Sequence, residues 1–162
     1  MKTLNVVDCM NPSVITVSNE APLREAVALM QKHKISALVV VDHSGHMVGV
    51  ISQTDVLRAW QQGSNYGEVS DKSVGEFMTR DVISTLPHKS LEYAMALLNQ
   101  HKIHRLIVVE SQDGGRFVSD RMKPIGILSQ TDIVQALVAD NDDAVAAGDT
   151  GAGGLGGPTS MA

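Results

Sequence analysis

A single cysteine, Cys9, stands among 162 residues, so no internal disulfide can form and no Cys-based zinc site is available. Aromatic residues make up only 3% of the chain, and a core must therefore be built from Val, Ile, Leu, Met and Ala. Positive charge is also in short supply. The net charge of −5 argues against nonspecific nucleic-acid binding. No apolar run approaches the length of a membrane span, and Met1 to Asn5 lacks the apolar stretch of a signal peptide. These absences lead to the expectation of a cytoplasmic protein that binds neither nucleic acid nor membrane. The hydrophobic content, 43%, is ordinary and suffices for one compact domain or two small ones.

What the chain does have is a repeat. Gly-Val-Ile-Ser-Gln-Thr-Asp spans Gly49 to Asp55, and Gly-Ile-Leu-Ser-Gln-Thr-Asp spans Gly126 to Asp132. The residues ahead of each copy agree as well. Val14-Ile15-Thr16-Val17 reads as a short strand, and Leu23, Ala26, Val27 and Met30 repeat at helical spacing. Leu38 to Val41 and Met47 to Ile51 read as strands, and Thr54 to Trp60 as a helix. The same order of strand, helix, strand, strand, helix returns with Val82-Ile83-Ser84, the Leu91 to Leu98 stripe, Leu106 to Val109 and the second heptapeptide. The offset is 68 residues as far as Val109 and 77 from Gly126 on, which puts nine extra residues in a polar loop within Ser111 to Lys123.

The repeat predicts an α/β (α+β) protein of two units, each with a three-stranded sheet and two helices. One unit alone is too small to close a core, so the two should pack sheet to sheet about a pseudo-twofold axis. The expected boundaries are 6–60 for the first unit, 61–72 for a linker containing Gly63 and Gly67, and 73–139 for the second unit. A flexible Gly/Ala-rich tail is expected over 140–162.

Each heptapeptide carries a strand into a helix through small hydroxyl residues. That turn leaves backbone N–H groups at the positive end of the helix dipole, where phosphate binds well. A carboxylate three residues past the serine can receive sugar hydroxyls, and together these features point to a nucleotide. Ser-x-x-Asp ahead of an apolar run is equally a helix cap, with Ser52 and Ser129 as N-caps. The heptapeptide by itself does not choose between a site and a cap.

Taken together, the repeat, the element order and the motif resemble a tandem pair of CBS domains, the Bateman module, over Val6 to Val138. His104-Arg105 further resembles the His-Arg of the gamma subunits of AMP-activated protein kinase. The resemblance implies two clefts. In the first, Asp132 would hold ribose hydroxyls, Ser129 and Thr131 would meet phosphate, and Val14, Ile15, Thr16, Ile35 and Ser36 would flank the base. In the second, Asp55, Ser52 and Thr54 take those roles beside Val82, Ile83, Ser84 and Ile103. His104 and Arg105 add cationic donors to the Asp132 cleft, where a guanidinium suits phosphate; the first copy has Ser36-Ala37 in their place. Asp132 is therefore expected to mark the main cleft, although Arg105 also fits a solvated or ion-paired surface residue.

The implied ligand is AMP, ADP, ATP or a related adenosyl compound such as S-adenosylmethionine, and no cofactor is required. The module would be regulatory, would pair as a homodimer through its helices, and would act on an unknown regulated protein. A dimeric interaction scaffold without nucleotide is the alternative reading. No catalytic constellation assembles in the sequence, so an enzyme is not expected. His43 and His46 flank a turn at Gly45 and are read as solvated, with no metal site. His33 and His101 end equivalent helices, where a cation suits the dipole.

Overall fold

The computed structural model describes residues 3–63, 65–111 and 121–148. Its elements run α1 (Val6–Cys9), β1 (Thr16–Ser18), α2 (Leu23–His33), β2 (Ala37–Val41), β3 (Met47–Ser52), α3 (Gln53–Gln62) and α4 (Tyr66–Val69). After a 3-10 turn at Val74–Glu76 come β4 (Ser84–Thr85), α5 (Leu91–His101), β5 (Arg105–Ser111), β6 (Met122–Ser129) and α6 (Gln130–Gly148). Two three-stranded sheets form, ordered β1-β2-β3 and β4-β5-β6. In each, the first pair of strands is parallel and the second antiparallel. The α/β class and the paired three-stranded units agree with the repeat.

The duplication extends to the helix ends. In α2, Leu23, Ala26 and Met30 are buried, three and then four residues apart, and in α5 Leu91, Ala94 and Leu98 are buried at the same spacing. Both helices close with a lysine in the left-handed region, Lys34 at φ 52° and Lys102 at φ 53°. Beyond it the N–H of Ile35 donates to the Met30 carbonyl at 3.0 Å, and Ile103 to Leu98 at 3.0 Å, which satisfies carbonyls that the helix leaves open.

Each core draws on both repeats. Val6 packs with Leu91, Leu98, Leu106 and Leu128, and Leu4, Cys9 and Met10 lie against the same cluster. Val74 packs with Val17, Leu23, Leu38 and Ile51, joined by Phe77 and Met78. Each lead segment is thus seated in the other repeat's core. The exchange is reciprocal. Asn5 bridges Ser90 as Ser73 bridges Pro22, and Asn11 bridges Ile127 as Thr79 bridges Val50. The expected linker also contributes to a core, because α4 buries Val69 in the first cluster.

One end region departs from its sequence reading. α6 runs on to Gly148, past the expected start of the tail, since Ala144, Ala146 and Ala147 favour helix. The rest of that expected tail, and most of the extra loop, lie outside the described residues.

Thr85 occupies in the second core the position that Val17 holds in the first. It is 4% exposed, and its hydroxyl has no hydrogen-bond partner among the described residues. An unpaired buried hydroxyl costs about 1–3 kcal/mol. Thr85→Val keeps the branched shape, and we expect it to raise stability by about 1 kcal/mol in urea unfolding. A loss of stability would mean that the hydroxyl is paired in solution.

Candidate functional site

Both Ser-x-x-Asp corners are built as helix caps. At the start of α3, the Ser52 N–H donates to Asp55 Oδ2 at 2.8 Å and the Asp55 N–H donates to Ser52 Oγ at 3.2 Å. The Ser52 hydroxyl also donates to Oδ2, at 3.0 Å. At the start of α6, the Ser129 N–H donates to Asp132 Oδ2 at 2.8 Å and the Asp132 N–H donates to Ser129 Oγ at 3.1 Å. Capping therefore occupies one carboxylate oxygen at each corner. At Asp55, Oδ1 accepts only two bonds among the described residues, both long, from the Thr79 hydroxyl at 3.3 Å and from Arg58 Nη1 at 3.4 Å. Oδ1 is the oxygen with acceptor capacity left for another hydroxyl.

Asp55 is 5% exposed and lines a cavity of about 320 Å³. Ser52, Thr79, Asp81 and Arg105 are its other polar lining residues. Its walls are apolar and come from both repeats: Leu38, Val39 and Val50 from the first, Ile103, Ile107 and Ile127 from the second, and Val82 and Ile83 from the stretch before β4. An apolar pocket of this size with a few convergent polar groups suits a small organic ligand.

The structure draws together five of the residues grouped with Asp55 by sequence: Asp55 itself, Ser52, Val82, Ile83 and Ile103. Thr54 is exposed on the first turn of α3, and Ser84 lies in β4 opposite Ile107; neither lines the cavity. Arg105, assigned by sequence to the Asp132 cleft, lines the Asp55 cavity instead. Its neighbour turns elsewhere, with His104 Nδ1 lying 3.1 Å from Gln130 Oε1 at the start of α6. Adjacent residues of an extended segment point to opposite sides, so the dipeptide divides between the two corners.

The residues grouped with Asp132 do not all share one of the two cavities that Arg105 lines. Ile35 and Ser36 line a second cavity together with Arg105, while Ile15 packs against the first core. Val14 lies two residues before β1, and Thr16 pairs with Val39 within the sheet. Thr131 is exposed on the first turn of α6. Asp132 and Ser129 line neither cavity. The Asp132 corner backs onto α1, where burial and then the carboxylates of Asp8 and Asp132 push the Cys9 thiol above its ordinary pKa.

Thr79 and Asp81 were missed by sequence. The repeat offset does relate Thr79 to Asn11, but the Asn11 side chain accepts from the Ser13 N–H at 2.9 Å, so the equivalence gives no hint of a bond to the motif carboxylate. Around Gly45, at φ 81°, the Ser44 and His46 N–H groups both donate to Asp42 Oδ1, and no cluster of three metal-ligating side chains occurs among the described residues. No helix among them is long and apolar enough to cross a membrane.

The family profile described as "CBS domain" matches residues 6–62 and 74–139. The CBS domain-containing protein YhcV of Bacillus subtilis is 34% identical over 110 residues, which cover 67% of this chain and 75% of that protein. The gamma-3 subunit of human 5'-AMP-activated protein kinase is 33% identical over 129 residues, 75% of this chain but only 24% of the subunit. Among solved structures, CBSX2 in complex with AMP superposes with a TM-score of 0.67 at 27% identity, covering 85% of this chain and 98% of that one.

Proposed function

This chain belongs to the CBS domain family, and from that premise we propose that it is a regulatory binding module rather than an enzyme, with an adenosyl ligand seated in the Asp55 cavity. The observation that carries the reading is the make-up of that cavity. A carboxylate corner from the first repeat faces apolar wall and a guanidinium from the second, and the intervening Thr79 to Ile83 stretch closes the side. The base would lie against Val82, Ile83 and Ile103. Ribose hydroxyls would replace the long Thr79 and Arg58 bonds at Asp55 Oδ1, and Arg105 would meet phosphate. A ligand touching both repeats favours one arrangement of them over others, which is what regulation of a partner protein requires. AMP bound to CBSX2 supports the adenosine part of the reading. This choice places the main site at Asp55 and not at Asp132.

The same proposal includes a homodimer in the cytoplasm. Leu57 and Trp60 on α3 are exposed at 57% and 52%, and their counterparts Val134 and Leu137 on α6 at 59% and 44%. Apolar groups at equivalent places on two helices fit a second copy of the chain. They equally support the alternative reading, a dimeric scaffold that needs no ligand.

A thermal-shift series with AMP, ADP, ATP, NAD and S-adenosylmethionine separates the readings, with sedimentation of the same samples to check pairing. A ligand at about 100 times its dissociation constant should add about 2.7 kcal/mol. We expect the shift to vanish in Asp55→Ala and to persist in Asp132→Ala. The reverse result would return the site to Asp132. A dimer that no ligand shifts would leave the scaffold standing and the ligand reading refuted.

A further inference from the structure

We infer that the ligand carries a pyrophosphate, whose distal phosphate lies in a second cavity beyond Arg105 and meets Lys34; the inference rests on the adenosyl reading of the Asp55 cavity. The second cavity, about 350 Å³, is lined chiefly by Gln31, Lys34, Ser36, Gln53 and Arg105. Arg105 lines this cavity and the Asp55 cavity alike, so the residue stands at their junction.

The two chambers differ in charge. The Asp55 cavity has apolar walls and two carboxylates, Asp55 and Asp81, beside its one arginine. The second cavity has two cations and no carboxylate among its lining residues. Neither the Lys34 ammonium nor the Arg105 guanidinium has an ion pair or side-chain hydrogen bond among the described residues. Gln31, Ser36 and Gln53 add neutral polar groups, and Gln53 opens α3, at the positive end of its dipole. A ligand whose nucleoside occupies the apolar chamber and whose charge increases toward the cationic one matches this division. Arg105 holds the proximal phosphate and Lys34 the distal one.

A lysine at a helix end also suits the dipole, and Lys102 repeats Lys34 at the end of α5. The repeat separates the two roles. At the offset of 68, the residue corresponding to Arg105 is Ala37, so Lys102 lacks the second cation that Lys34 has across its cavity. The charged pair is a property of one site and was not copied with the helix cap.

Isothermal titration of the wild type, Lys34→Gln and Arg105→Gln with adenosine, AMP, ADP, ATP, NAD and S-adenosylmethionine tests this. We expect ADP to bind the wild type about tenfold more tightly than AMP, an advantage that high salt reduces. Lys34→Gln should abolish that advantage and leave adenosine and AMP affinities unchanged, while Arg105→Gln should weaken AMP and ADP together. Comparing ATP with NAD distinguishes a terminal polyphosphate from a pyrophosphate bridging two nucleosides. Equal affinity for AMP and ADP, or an ADP advantage that survives Lys34→Gln, overturns the inference while the adenosyl site stands. If no adenosyl compound binds, adenosine included, both fall.

Discussion

Gly49→Ala should destabilise the protein by about 2–3 kcal/mol, well beyond the usual cost of a surface substitution. A Cβ at Gly49 would lie 2.6 Å from the Thr79 carbonyl oxygen and 2.9 Å from the Met78 sulfur. The methionine can swing away. The carbonyl is fixed, because Thr79 and Val50 exchange backbone hydrogen bonds of 2.9 and 2.8 Å across the same contact. Relief of the clash would pull Thr79 off the edge of β3 and with it the hydroxyl that reaches Asp55. The ligand-induced thermal shift should therefore fall along with stability. Gly126→Ala should cost less, because its shortest contact, 2.5 Å, is to the flexible Met10 side chain, with the Asn11 carbonyl at 3.0 Å. Urea unfolding of both variants checks the order; a loss below about 0.5 kcal/mol at Gly49 would mean that the crossing segment lies farther from β3 than described.

Val6→Ala should cost about 2 kcal/mol, from two buried methyl groups and the small void they leave. Where the loss is felt matters more than its size. Val6 is fully buried among Leu106 and Leu128, in the core of the repeat that begins some seventy residues later. Val6→Ala and Leu106→Ala should therefore be non-additive in a double-mutant cycle, whereas Val6→Ala and Leu38→Ala should add. The mirror experiment pairs Val74→Ala with Leu38→Ala. Coupling of Val6 to Leu38 would overturn the exchange of lead segments.

That exchange marks the limit of what the sequence discloses. Strand and helix order was legible because periodic burial is a local property, and the repeat supplied two independent readings of each element. The lead segments, Val6 to Met10 and Val74 to Met78, are near equivalents, and either would fit either sheet. Nothing local says which one a segment will choose. The same holds at the site. The cap chemistry of Ser52 with Asp55 and of Ser129 with Asp132 follows from spacing alone, and the structure places the expected bonds at both corners. Arg105 was misplaced because its position in the chain says that it is near His104, not that the two side chains diverge. Only the tertiary arrangement of β5 against the Asp55 corner decides which chamber receives the guanidinium.

The crossed lead segments also set an order of events on the ribosome. The first core lacks Val74, Phe77 and Met78 until those residues have been made, so it stays open until the second copy has begun. The second core has the opposite history: Val6 and Met10 are made long before the sheet they join, which is completed only with Leu128. Until the second sheet is made, the Val6 to Met10 strip has no sheet to join, although its near twin's sheet is already formed beside it. Closure of the second half is thus the later step, and the nascent chain must keep two interchangeable segments from settling into each other's place.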